Sequence, residues 1–392
     1  MTGSPRNERL FTGYSGRLLV AVSIGWGVMQ GGRLVMSPLL PTIKADLAIS
    51  NTEAGFIFTM LWGLYALLQY PSGRLSDRLT RKTLLVAGLG LAGLGFVGLA
   101  LAPTYLTLIA AAAVVGVGVG LYPTAARALI SDVFVERRGQ AFGLHTASGD
   151  IGGVAAAGLA TVVLAVAVWR AAFLPVVLII AMIVVALHRW SREDYRVERV
   201  DLAVTDTLSR LLGTPRLRTL LFGYALFAIT WQSTTAFLPT FLQVAKGFPP
   251  AIANAGFGAL FLVGATVKPI AGWLGDRWSN EIVAPGALLV GAITLAVVIL
   301  VGTPAFVIAG VVVFAAGLMA YPPVMQAFLM DTFPTESMGG DLGGMRTIYI
   351  GLGALGPTVV GAIADYADYT IAFTGLVGCL LVSSAVIFLA TR

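Results

Sequence analysis

Apolar positions in this chain come in runs of about 20 residues broken by short polar turns, and a run of that length is what a helix needs to cross a bilayer. Twelve such segments lie at roughly 17–41, 52–72, 83–102, 104–130, 140–166, 169–188, 217–244, 251–273, 283–302, 304–330, 339–364 and 369–391. Polar and apolar residues do not alternate within them, as they would along the strands of a membrane barrel, so the pattern predicts helices. The expected fold class is all-α integral membrane. The first run is too long for the core of a signal peptide and lacks a convincing cleavage site, so it reads as a retained helix. Gly88, Gly90, Gly93, Gly95 and Gly98 lie inside an apolar run. There they predict close helix approach rather than a phosphate-binding loop.

One long polar stretch, 189–216, interrupts the pattern with mixed charge and no glycine-rich loop. It predicts a linker, with room for an amphipathic helix on the membrane surface. It divides the chain into six segments over 1–188 and six over 217–392. The two sides repeat each other. Gly73-x-Leu75-x-Asp77-Arg78 recurs as Gly272-x-Leu274-x-Asp276-Arg277, Tyr122-Pro123 as Tyr321-Pro322, and Asp132-x-Phe134 as Asp331-x-Phe333, all at an offset of 199 residues. Leu40-Pro41-Thr42 recurs as Leu238-Pro239-Thr240 at 198. Ordered matches at a near-constant offset indicate duplication. Because six helices is an even number, the copies run the same way through the membrane, as a parallel repeat about an axis along its normal.

Composition narrows the class. The chain is 57% hydrophobic and 11% charged, against about 25% charged residues in soluble domains. A net charge of +6 would suit nucleic acid, but the positions of the basic residues argue otherwise. With the N-terminus inside, 18 of the 25 fall on the inner side, Lys44, Arg170 and Lys246 on the outer side, and Arg33, Arg127, Lys268 and Arg346 within helices. That asymmetry predicts a multi-pass plasma-membrane protein with both termini cytoplasmic, and no nucleic-acid partner. One cysteine and two histidines leave no disulfide framework and no metal-ligand cluster in view. No nucleotide-binding loop or catalytic triad appears, so neither enzyme chemistry nor a cofactor is expected.

Twelve segments, a central linker and Gly-x-Leu-x-Asp-Arg between the second and third of them resemble the major facilitator superfamily over almost the whole chain. That family's loop motif is usually written G-x-x-x-D-R-x-G-R-[RK]. Here Gly73, Asp77, Arg78, Arg81 and Lys82 match it, but Thr80 stands where the last glycine is expected, and the second copy ends in Ser279-Asn280. The resemblance implies a carrier of two six-helix bundles working by alternating access. It also implies that the motif latches the cytoplasmic side while the carrier faces outward. The expected latch residues are Gly73, Asp77, Arg78, Arg81 and Arg127, with Gly272, Asp276 and Arg277 in the second half. Arg127 lies within about one turn of the inner end of its helix, which favours the latch over substrate contact. The same basic residues also set topology, and Gly73 is expected to let its helix approach a neighbour.

Charges at depth are costly, about 2.5–3.5 kcal/mol each on insertion scales, and so point to function. Arg33 lies roughly 24 Å along the first helix from Arg17, and Trp26, Gln30 and Arg33 share one helical face. A guanidinium there could bind an anion through a planar fork, or instead snorkel or hold two helices together. Asp150 is the one acid deep within a helix, roughly 16 Å in. It is either a proton-coupling group or a structural partner, for instance of Arg33. His145 reads as a polar packing residue. Gln232 and Tyr349 are polar groups near mid-depth in the second half and complete the expected substrate-binding set. Lys268 and Arg346 lie toward the inner ends of their helices, where Lys268 either snorkels or contacts substrate.

The expected activity is secondary-active transport, with a small organic or inorganic anion moving alongside protons. Its expected partners are that substrate, protons and membrane lipid, in a monomer. Export of amphipathic drugs or metabolites is the alternative within transport. It is disfavoured because Gly152-Gly153-Val154 stands where proton antiporters of the family carry Gly-Pro. A carrier-like ligand sensor would need a docking loop longer than 189–216.

Overall fold

The computed structural model describes residues 8–198, 204–333 and 338–391; the side chains of Asp77, Val204, Asp206, Leu208 and Met338 lie outside that description. Helices make up the described fold: α1 (Gly13–Leu34), α2 (Met36–Leu47), α3 (Asn51–Leu67), α4 (Gln69–Arg78), α5 (Arg81–Leu101), α6 (Tyr105–Val133), α7 (Arg138–Val166) and α8 (Phe173–Trp190) come first. A short α9 (Val204–Gly213) follows, then α10 (Pro215–Val244), α11 (Pro250–Trp278), α12 (Asn280–Leu300), α13 (Pro304–Thr332), α14 (Met338–Gly353), α15 (Leu355–Tyr366) and α16 (Tyr369–Thr391).

Three of the predicted segments are each split into two helices, and proline places every break. Pro38, Pro71 and Pro357 each stand four residues after the last residue of a helix, Leu34, Leu67 and Gly353 respectively. A proline ring clashes with the carbonyl four residues before it and donates no N–H, so the helix breaks there. Ten helical segments among the described residues are long and apolar enough to span a membrane. The segments expected at 52–72 and 217–244 are helical but do not belong to the ten. α3 has only 17 residues before its break, and α10 carries Gln232, Ser233, Thr234 and Thr235 in its middle.

Helices α1–α8 pack mainly among themselves, as do α10–α16. The duplication is visible in the packing. A Cβ on Gly118 of α6 would strike the backbone of Ala92 on α5, and a Cβ on Gly317 of α13 would strike Gly291 on α12. Both members of the pair are displaced by the same 199 residues. The glycine run predicted to permit close approach does so at Gly88, Gly95 and Gly98, which face α6, whereas Gly90 faces open space.

Between the two groups of helices, α3 meets α14 and α15, α2 meets α10, α4 meets α14, and α7 meets α11. We call the side that holds the 189–216 linker and the α4–α5 and α6–α7 turns the linker face. The linker does not lie free on it. Lys82 N–H donates to Glu193 (2.8 Å) and Thr80 to the Asp194 carbonyl (2.8 Å). α9 docks inward: Leu211 is buried, and Arg210 pairs with Asp341 at the start of α14 (2.9 Å).

Candidate functional site

The two halves enclose a cavity of about 820 Å³ lined by residues near the linker-face ends of α4, α6, α10, α13 and α14 and by α9. Among the described residues its wall holds Arg74, Arg127, Arg210 and Arg346, together with Tyr224 and Tyr349, and no acidic residue. Arg210 is committed to Asp341. The other three make no ion pair among the described residues. Arg127 Nε donates to the Pro123 carbonyl (3.1 Å), while Nε of Arg74 and of Arg346 are buried without a hydrogen-bond partner. Arg127 and Arg346 stand within each other's electrostatic reach, with Tyr65 and Tyr349 as their shared polar neighbours. Tyr349 lies flat on Tyr224, their ring centroids 3.9 Å apart and planes 4° apart.

At the opposite face the halves close. Asp365, near the end of α15, accepts the first amides of α3, Asn51 N–H (2.9 Å) and Thr52 N–H (2.7 Å), and also the Thr52 hydroxyl (2.6 Å). A carboxylate here satisfies two orphan amides and lies at the positive end of the helix. Tyr369 donates to the Asn51 side chain (2.6 Å), which Lys44 also reaches. Deeper in, Thr59 donates to the Ala354 carbonyl (2.6 Å), which stands at the proline-induced break in the predicted 339–364 segment, and Ser37 donates to the Ala236 carbonyl (2.9 Å). The cavity therefore faces the linker side and is shut from the other.

Midway between the faces, Lys268 of α11 places its ammonium 2.6 and 2.8 Å from the two oxygens of Asp150 on α7. The pair joins the halves and is largely buried, the Asp150 side chain being 9% exposed. Asp150 thus meets Lys268 and not Arg33, and Lys268 reaches inward to an acid rather than snorkelling. The sequence held a signal for this pairing: a lone deep acid needs a cation, and four basic residues lie within helices.

Arg33 is buried in an aromatic cage. Its guanidinium carbon stands 4.1 Å from the Trp62 ring centre, 4.9 Å from Tyr65 and 5.9 Å from Trp26. Nε and Nη1 find no hydrogen-bond partner. Tyr65 stands within electrostatic reach of both Arg33 and Arg346. Of the expected binding set, Trp26 and Arg33 come together, with His145 stacked on Trp26 (6.1 Å) as a packing residue. Gln30 leaves its amide oxygen unpartnered. Gln232 is buried and donates to the Ile350 carbonyl (2.9 Å), tying α10 to α14. Only Tyr349 of that set lines the cavity.

On the linker face Arg81 pairs with Asp132 (3.0 Å) and donates to Ser76 (2.8 Å), all within one half. Arg78, Asp276 and Arg277 are exposed, and the Asp77 side chain lies outside the described residues. The close approach expected at Gly73 is not made here. A Cβ there would come no nearer than 4.0 Å to Thr124, and one at Gly272 would meet nothing within 4 Å. Arg127, expected in the latch, lines the cavity.

Comparison with known proteins agrees with this architecture. The chain is 23% identical to the glycerol-3-phosphate transporter of Bacillus subtilis (strain 168), over 97% of this chain and 90% of that one. It is 26% identical to the gentisate transporter of Corynebacterium glutamicum, over 90% and 82%. Its fold superposes on a bacterial homologue of the human lysosomal transporter Spinster, solved inward-facing and occupied, with a TM-score of 0.83 at 17% identity and 98% coverage of both chains. A D-xylose–proton symporter follows at a TM-score of 0.73, 15% identity and 97% coverage of both. The family model of the Major Facilitator Superfamily matches residues 22–343 and 257–392, and the chain belongs to that superfamily of membrane transporters.

Proposed function

We propose that this chain is a secondary-active carrier that moves a small organic or inorganic anion with protons by alternating access. The observation that carries the reading is the cavity, closed at the opposite face and walled by arginines with no acid among the described residues. Such a cavity repels cations and concentrates anions. Relatives named for glycerol 3-phosphate and gentisate, both anions, support the substrate class. The bodies that rock are 1–188 and 217–392, joined by 189–216. By the distribution of basic residues, the linker face is cytoplasmic and the membrane is the plasma membrane.

Asp150 is the coupling group in this reading and Lys268 its counter-charge. Protonating Asp150 cancels the attraction that joins α7 to α11 and frees the halves to move, and releasing the proton restores it. A buried pair broken by loss of one partner is destabilised by about 3–5 kcal/mol, enough to bias a conformational equilibrium. When the halves rock to open the opposite face, Gly73, Asp77, Arg78 and Arg81 engage the second half, and Gly272, Asp276 and Arg277 do so in the repeat.

Proteoliposome uptake tests both parts. Radiolabelled glycerol 3-phosphate, gentisate and benzoate are offered with and without an inward proton gradient. At least one should accumulate with the gradient only. If no anion enters and puromycin is moved instead, the anion reading falls. Asp150→Asn should keep counterflow exchange, because both loaded states remain reachable, and lose gradient-driven accumulation by about tenfold or more, the scale of one lost charge interaction. Retained accumulation removes Asp150 from coupling.

A further inference from the structure

We infer that Arg127 on α6 and Arg346 on α14 form one two-armed site for a doubly charged oxyanion group of the phosphate or sulfate kind. The inference rests on the anion-carrier reading and adds to it the location and the charge of the group recognised.

Among the described residues Lys268 takes Asp150, Arg210 takes Asp341, Arg81 takes Asp132 and Arg170 takes Asp46, whereas Arg33 sits in its aromatic cage and Arg74, Arg127 and Arg346, all in the cavity wall, have no ion pair. Of these, Arg127 and Arg346 share one cavity and repel each other. Their neighbours, Tyr65, Tyr224 and Tyr349, supply hydroxyls but no full negative charge. Like charges held together without a counter-ion are unfavourable unless a ligand supplies one. A monoanion would leave one guanidinium uncompensated, whereas a dianion satisfies both, and each planar guanidinium offers two parallel donors to an oxyanion.

The two arms come from different halves and from non-equivalent helices. At the repeat position of Arg127 the chain has Gln326, which also lines the cavity but is neutral, so the second charge comes from α14. A ligand held by one arm from each half draws α6 and α14 together. Its binding energy then favours narrowing of the linker face, which is how a substrate drives its own occlusion.

The purified carrier in detergent is titrated with sodium sulfate, inorganic phosphate and methanesulfonate at matched ionic strength, and binding is read by calorimetry and thermal unfolding. Sulfate and methanesulfonate share shape and differ by one charge. Sulfate and phosphate should bind about tenfold or more tightly than methanesulfonate, and Arg127→Gln and Arg346→Gln should each weaken sulfate about tenfold, while the exposed Arg189→Gln, which removes the same charge elsewhere, should not. Short-chain phosphatidic acid in the same assay separates a lipid headgroup from a soluble ion. Stabilisation by that lipid alone, with the same arginine dependence, keeps the chemistry and names lipid as its source. Equal binding of sulfate and methanesulfonate, or sulfate binding that survives both substitutions in folded protein, overturns the inference. So does an absence of binding by all these probes. Anion uptake that continues in either variant overturns the two-armed site but leaves the carrier reading standing; loss of all anion uptake in the parent removes both.

Discussion

At the opposite face α3 and α15 approach until only glycine fits at Gly55 and Gly361. A Cβ at either would overlap a backbone carbonyl of the other half, that of Pro357 or of Asn51. At the linker face α4 and α14 touch through side chains instead, with Tyr70 N–H on the Thr347 hydroxyl (3.2 Å) and the Tyr70 hydroxyl on Thr207 of α9 (3.1 Å). One closure is backbone against backbone, capped by a carboxylate on helix amides. The other is a set of side-chain hydrogen bonds and the Arg210–Asp341 ion pair around a cavity. Backbone contact with many fixed dipoles has two discrete arrangements, made or unmade, whereas side-chain contacts adjust by degrees. On this comparison we expect the opposite face to open as a unit and the linker face to adjust by degrees. Both faces use groups freed by proline breaks: Tyr70 lies two residues into α4, just past the Leu67–Gln69 break, and Thr59 bonds to Ala354 at the Gly353–Leu355 break.

The strongest way to break this comparison is Gly55→Val. Two γ-carbons at that point cannot coexist with the Pro357 carbonyl, so the opposite face should fail to close. Spin-label distances between the outer ends of α3 and α15 should lengthen, and transport should fall by about a hundredfold, since the closed state would have to carry strain of a few kcal/mol. Gly63→Val on the same helix provides the control, because a Cβ there meets nothing within 4 Å. Equal effects of the two substitutions would show helix propensity, not closure, at work.

Asp365→Asn should act in the same direction and less strongly. The asparagine keeps one acceptor for the α3 amides but loses the charge, and hydrogen bonds to charged groups contribute about 1.5–3 kcal/mol. The population open at the opposite face should rise about tenfold, measured by labelling of a cysteine placed below the closure in a Cys379→Ser background. An unchanged labelling rate would mean that the glycine contact alone holds this face.

The fold was legible because its signals are local or periodic: apolar runs of bilayer length and the offset of 199. Of the two segments outside the ten long apolar helices, α3 is cut short by its break and α10 carries polar residues in its middle. The candidate site was legible only in part. All four intrahelical cations stand out in the sequence, but their grouping depends on how the halves dock, which no periodicity encodes. Arg127 reads as a latch residue when its distance to the end of α6 is counted along one helix. It becomes a cavity residue because α14 and α9 share the lining with it. Likewise Arg33 is one partner expected for Asp150, yet α3 supplies an aromatic cage for the first and α11 a lysine for the second. Asp365 offered no sequence signal, since an acid near a helix end is ordinary until its partner helix is known.

The smallest expected effect sharpens the comparison from the other side. Glu8 accepts hydrogen bonds from the backbone N–H groups of Val135 (2.8 Å), Glu136 (3.1 Å) and Arg137 (3.0 Å), fastening the start of the chain to the α6–α7 turn. The Val135 bond is the main cause that holds its carboxyl below the usual range, opposed by partial burial. This resembles Asp365 in chemistry, a carboxylate on the amides before a helix, but differs in place, because both partners belong to one half. Glu8→Gln should therefore lower thermal stability slightly without moving the balance between open faces. The sign with pH follows from the depressed value: the contribution is complete above the ordinary carboxyl range of about 4 and is lost as pH falls through the lower folded value. Parent and Glu8→Gln melting curves should accordingly differ at neutral pH and converge in acid, with identical spin-label distances across the α3–α15 closure throughout. A change in those distances would mean that the linker face also switches through its helix ends, and the contrast between the two faces would fail.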